Sequence, residues 1–146
     1  MADKFAAMVV VTIMVTFTIW ASLYMGAILV DMDIGAWPLA QVTTSAAWLG
    51  LVFGAFALAL GCATGKRNMS IGVTVGLAAS AYLYNALAPL ADALEPTRVL
   101  SPFYYYNSAD PLSNGLDPVH MSVMTAAIAV LLAAAMFTFE RRDVGV

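Results

Sequence analysis

Four long runs of apolar residues, separated by short polar clusters, dominate the chain. The first, Phe5–Val30, holds no charged residue. The second runs from Val42 or Ser45 to Ala63, the third from Met69 to about Leu90, and the fourth from Val119 to Phe139. A helix crosses a hydrocarbon layer ~30 Å thick in about 20 residues, at ~1.5 Å per residue. Each run meets that length, so the pattern predicts four spans. The first exceeds it and must tilt or protrude. The expected class is all-α: a polytopic transmembrane helix bundle with spans at about 5–30, 45–63, 69–90 and 119–139, plus short extracytoplasmic surface helices.

The pieces between the runs are also legible. Asp31-Met32-Asp33 ends the first span, and Ile34–Gln41, with Trp37-Pro38, reads as an interfacial re-entry into the second. Thr64–Asn68 reads as a tight polar turn. The connection Ala91–Pro118 differs in kind: it holds four prolines and the run Tyr104-Tyr105-Tyr106. Proline limits helix there, and tyrosine suits a membrane–water boundary. Short surface helices are expected around Asp92–Val99.

Composition agrees with lipid as the solvent. Of 146 residues, 62% are hydrophobic and 10% charged, where a soluble domain is about a quarter charged. A small soluble domain exposes too much of its surface to hide so much apolar area. The run Phe5–Val30 is too long for the apolar part of a signal peptide and lacks a small-x-small cleavage site after it, so it reads as a retained span.

Charge placement orients the bundle. With four crossings, Lys4, Lys66, Arg67, Arg141 and Arg142 share one side and only Arg98 falls on the other. The positive-inside rule puts the larger group, and both termini, in the cytoplasm. Asp31, Asp33, Asp92, Glu95, Asp110 and Asp117 then lie outside. No basic face or tail is present, which argues against nucleic acid as a partner.

Candidate chemistry is sparse. No span carries an internal charge, which argues against proton-coupled drug exchange and proton conduction. One cysteine, Cys62, excludes an intrachain disulfide and a multi-cysteine metal site. It reads as packed within the second span. One histidine, His120, excludes a bis-histidine haem, and it reads as a helix-start residue. The nine methionines are scattered as apolar filler. No metal site and no catalytic residue is expected. Gly61–Arg67 has too few residues between its glycines for a phosphate loop, and Arg follows its lysine.

What remains is polarity inside the spans. Asn85 is deep enough in the third span to need a hydrogen-bond partner; Tyr82 and Tyr84 flank it, and Pro89 is expected to kink or fray the span's end. Thr12, Thr16 and Thr18 line part of the first span, and Thr16 is positioned to bond back to a carbonyl one turn earlier. Internal helix–helix bonding and a weakly polar substrate path are both open readings, with Thr16, Tyr82 and Asn85 as path candidates. Gly50/Gly54 and Gly72/Gly76 recur at helical spacing, which allows close packing within the chain or against a partner subunit.

Several short motifs follow one another in a familiar order. These are Tyr82-Leu-Tyr-Asn-Ala-Leu-Ala-Pro-Leu90, Leu100-Ser-Pro-Phe-Tyr-Tyr-Tyr106, Asp110-Pro-Leu-Ser-Asn-Gly115 and Phe139-Glu-Arg-Arg-Asp143. The succession resembles the C-terminal half of an ABC-2-type transporter permease, closest to bacterial drug and antibiotic exporters, and is strongest from about Ala79 onward. Such permeases usually have six spans. The resemblance implies that the four here correspond to the third through sixth, as in a fragment, a misplaced start or one piece of a split permease. It further implies a separate ABC ATPase subunit that uses the ATP, a second permease half in a homo- or heterodimer, and a place in the bacterial plasma membrane. The chain itself would bind no cofactor. Lys66 and Arg67 are the candidate contacts to the ATPase, and a plain positive-inside anchor accounts for them equally well. A non-transporting accessory or assembly protein, or an inactive permease fragment, is the alternative.

Overall fold

The structure, a computed structural model, describes residues 2–90, 95–107, 110 and 113–143. It is all-α, with no strand among the described residues. Helix α1 covers Ala2–Leu29, α2 Ala36–Thr64 and α3 Arg67–Leu87. Two 3-10 turns follow, Ala88–Leu90 and Glu95–Leu100, then a short α4, Pro102–Asn107, and finally α5, Pro118–Asp143. Four of these helices are long and apolar enough to cross a membrane. Their outer faces are apolar too: Ile13 is 62% exposed and Phe17 64%. A soluble protein would hide such side chains, whereas lipid solvates them. The chain is a multi-pass membrane protein.

The helix of the second span starts before its apolar run does. Helix α2 begins at Ala36, within the segment read as an interfacial re-entry. Pro38 does not prevent this, because the first-turn N–H groups of a helix have no partner within it. The third span ends as an α-helix at Leu87, and Ala88-Pro89-Leu90 tightens into a 3-10 turn, the fraying expected from Pro89.

Two compact turns join the first three spans. After α1, the N–H of Asp31 bonds to the carbonyl of Ile28 (3.3 Å) and that of Met32 to Ala27 (3.0 Å), with Asp31 itself left-handed at φ 57°. That pattern satisfies helix-end carbonyls, usually with glycine at the left-handed position. After α2, Gly65 takes that role at φ 68°, its N–H bonding to Gly61 (2.9 Å). Ser70 then closes the turn by donating to the Lys66 carbonyl at 2.9 Å, within 3.3 Å of the Thr64 hydroxyl. The polar turn read at Thr64–Asn68 therefore contracts to Gly65-Lys66, with Arg67 and Asn68 already helical.

Helix α2 is the axis of the bundle, packing against α1, α3, α4 and α5. Met8 lies against Gly54 and Trp20 reaches Ala36, so α1 runs antiparallel to α2. Trp48 donates to Thr125 (2.9 Å), while Val52 and Ala55 pack with Met124 and Ile128, so α5 runs parallel to α2. Without a hydrophobic drive between helices in lipid, dispersion in this close packing holds the pair, with the Trp48–Thr125 bond added.

Short helices do occupy the third connection, but α4 is drawn between the spans. Phe103 meets Phe53 of α2 at 5.6 Å and Tyr82 of α3 at 5.5 Å between ring centroids. Tyr105 packs on the Val52–Met124 cluster. The surface helix expected around Asp92–Val99 lies in part outside the described residues; from Glu95 onward it is a 3-10 turn.

Candidate functional site

The α1–α2 pair touches at Met8–Gly54 near one end and Trp20–Ala36 near the other. Between those ties lies a groove of about 380 Å³. Helix α1 supplies Val11, Val15, Thr16, Ile19 and Leu23 to its wall, α2 supplies Val42, Ala46 and Gly50, and Tyr106 reaches it from α4. The groove exists because α2 shows it small side chains. A Cβ built on Gly50 would meet nothing within 4 Å.

The threonine hydroxyls in this wall are already used. Thr16 donates to the Thr12 carbonyl at 2.7 Å, Thr12 to Met8 at 2.8 Å and Thr43 to Leu39 at 2.9 Å. The back-bond expected of Thr16 is present. Its consequence is that α1 and α2 offer the groove methyl groups with no spare donor, and the Tyr106 phenol is the one uncommitted hydroxyl of the wall. The groove is therefore largely apolar, with one polar point at Tyr106.

The three path candidates do not share one site. Thr16 lines the groove; Tyr82 and Asn85 sit on α3 and are not part of its wall. Tyr82 is exposed on one face and meets Phe103 on another. Asn85 is only 4% exposed, and its Oδ1 has no hydrogen-bond partner.

A second polar group gathers where α4 meets the start of α5. His120 packs edge-on against Tyr105 (5.3 Å) and near Tyr104 (5.9 Å), while the Arg98 guanidinium stands 5.8 Å from the Tyr104 ring centre. Asp117 lies 3.9 Å from His120 Nδ1, too far for a hydrogen bond. Instead Asp117 caps α5, accepting from the Val119 N–H at 2.8 Å. His120 is thus a helix-start residue set among aromatic rings.

Lys66 and Arg67 are both exposed at the α2–α3 turn, at the same end of the bundle as Lys4. Cys62 is half-buried on α2. The two glycine pairs part company. Gly54 is covered by Met8, whereas Gly72 and Gly76 face open space on α3. Among the described residues, no group of three or more metal-ligating acids, histidines or cysteines forms.

Sequence reasoning missed the contributions of Tyr106, Ala46 and Val42 to the groove. Val42, Ala46 and Gly50 stand four apart, which puts them on one helix face, but nothing in the pattern says which helix that face meets. A comparison with known families, curated proteins and solved structures finds no match to this chain.

Proposed function

We propose that the chain is a membrane permease subunit of an ATP-driven ABC exporter, forming part of the substrate path and powered by a separate ATPase subunit. The observation that carries the reading is the ordered run of motifs from Tyr82 to Asp143, with its Asn-Pro span end, Ser-Pro-Phe turn and closing Arg-Arg-Asp. The α1–α2 groove, with Thr16 in its wall, supports it by offering a lateral recess of about 380 Å³ on the membrane-facing bundle. The absence of charge inside the spans fits an amphiphilic or apolar cargo.

In this reading the protein sits in a bacterial plasma membrane with both termini in the cytoplasm, an orientation that the five-to-one placement of basic residues supports. Exposed Lys66 and Arg67 then meet the ATPase, whose cycle on ATP moves the spans. The chain contributes the path and no covalent chemistry. A second permease half packs on the open face of α3, where Gly72 and Gly76 allow backbones to approach closely.

The test is recovery of the tagged chain from membranes in mild detergent, with ATPase activity and bound proteins read from the eluate. An ATP-binding-cassette subunit should co-purify, with activity that falls when Lys66 and Arg67 are changed to Ala. Recovery of the intact chain from its native membrane without an ATPase would overturn the export reading.

A further inference from the structure

The α1–α2 groove has a definite depth in the membrane. Counting about 20 residues, one hydrocarbon thickness, forward from Lys4 and back from Lys66 reaches the neighbourhood of Tyr24 and Ala46. Of the upper lining residues, Leu23 thus stands at the boundary of the hydrocarbon on the Asp31 side and Val42 about 6 Å beyond it. From Leu23 down to Val11 the wall descends about 18 Å at ~1.5 Å per residue. Half the hydrocarbon core is about 15 Å. The groove is as deep as one leaflet.

What lies above it is acidic. The groove is formed by the two helices of one hairpin, and the turn of that hairpin carries Asp31 and Asp33, both exposed. Helix α1 continues from Leu23 to Leu29, about 9 Å. The polar layer of a bilayer leaflet is about 5–8 Å thick. The carboxylates therefore stand at the outer edge of that layer, above the Leu23 end of the groove. Among the described residues neither has an ion-pair partner, and the described cation at this end, Arg98, is turned to Tyr104.

Wall and rim select an occupant. Every hydroxyl that α1 and α2 supply to the wall is committed to its own helix, which leaves the Tyr106 phenol as the one side-chain donor there, so a molecule with several polar groups would leave most of its donors and acceptors unsatisfied in hydrocarbon. A hydrocarbon chain loses nothing. Two unneutralised carboxylates above it favour a positive head.

We propose that this groove binds one alkyl chain of a cationic amphiphile taken from the leaflet on the Asp31 side, with its head beneath Asp31 and Asp33. The inference deepens the permease reading by naming a cargo class, yet it concerns binding to this chain alone. Its test needs no ATPase, so either reading can fail without the other.

The experiment is photolabelling of the purified full chain in phosphatidylcholine nanodiscs, using a long-chain alkyltrimethylammonium that carries a diazirine in its chain. An alkyl sulfate of the same length serves as comparison. Saturable labelling should fall on peptides containing residues 11–23 and 42–50, with the cationic probe favoured. Gly50→Leu and Ala46→Leu, which fill the groove from two positions, should each abolish saturable labelling. Val130→Leu on the exposed face of α5 should leave it intact. Asp31→Asn with Asp33→Asn should weaken the cationic probe about fivefold, as expected for the loss of exposed charge partners. Labelling that is spread over all four spans, that survives both groove-filling changes in folded protein, or that is equal for the two probes would overturn the proposal.

Discussion

The thioether of Met8 occupies the space that a side chain at position 54 would need. A Cβ on Gly54 would stand 2.5 Å from Met8 Sδ and 3.2 Å from its terminal methyl. This contact ties the lower end of α1 to α2, and the groove opens above it. Gly54→Ala should cost little, because a methionine tip can swing aside. Gly54→Leu should cost about 1–3 kcal/mol by overpacking. Met8→Ala in the same protein should recover most of that loss. Unfolding of the detergent-solubilised chain in rising SDS measures all three, and equal losses in the single and double variants would show that Met8 is not the obstacle.

Asp31 holds a left-handed backbone at φ 57°, in a helix-ending pattern where glycine fits without a Cβ penalty. Asp31→Gly should therefore stabilise the hairpin by about 1 kcal/mol while removing one carboxylate from above the groove. A raised unfolding midpoint checks the first effect. An unchanged or lowered midpoint would mean that the Asp31 side chain makes up the backbone cost.

Asn85 leaves its Oδ1 unpaired at 4% exposure. An orphaned buried acceptor costs about 1–3 kcal/mol, and replacing it by an apolar group of similar size is neutral or favourable. Asn85→Leu should raise stability by about 1 kcal/mol on that scale. If transport falls as stability rises, Asn85 serves the cargo; if neither changes, it serves neither.

Trp48 donates to Thr125 across the α2–α5 pair. Hydrogen bonds between membrane helices contribute about 0.6 kcal/mol on average and up to about 1.7. Trp48→Phe keeps most of the ring and should lose roughly that amount. Thr125→Val should lose a similar amount, and the two losses should not add. A double-variant unfolding cycle measures the coupling, and simple additivity would deny the bond any role.

Much of the fold was legible along the chain. The lengths of the runs beginning at Phe5, Met69 and Val119 marked three spans to within a few residues. The helix that carries the second begins earlier than its apolar run, at Ala36, because Trp37-Pro38 lies in a first turn that tolerates proline. The aromatic run at Tyr104 looked interfacial. The structure adds that Tyr105 packs on the α2–α5 cluster and Tyr106 lines the α1–α2 groove, contacts that hydropathy does not signal because it names no partner for a ring. Of the path candidates, Thr16 lines the groove, and its hydroxyl proved to be spent on its own helix.

The sequence by itself determined the number of spans, their order and the side of the bundle on which each charge falls, because these depend only on hydrophobic length and on charge in the loops. It also determined that the spans carry no internal charge. Only the tertiary structure decided that α2 is the shared axis, that Gly54 is covered while Gly50 is open, and that an apolar groove opens between α1 and α2. The reason is physical. In lipid every apolar face is equally well solvated, so hydropathy cannot say which face of a span meets another helix, and that choice rests on the fit of one side chain against one gap.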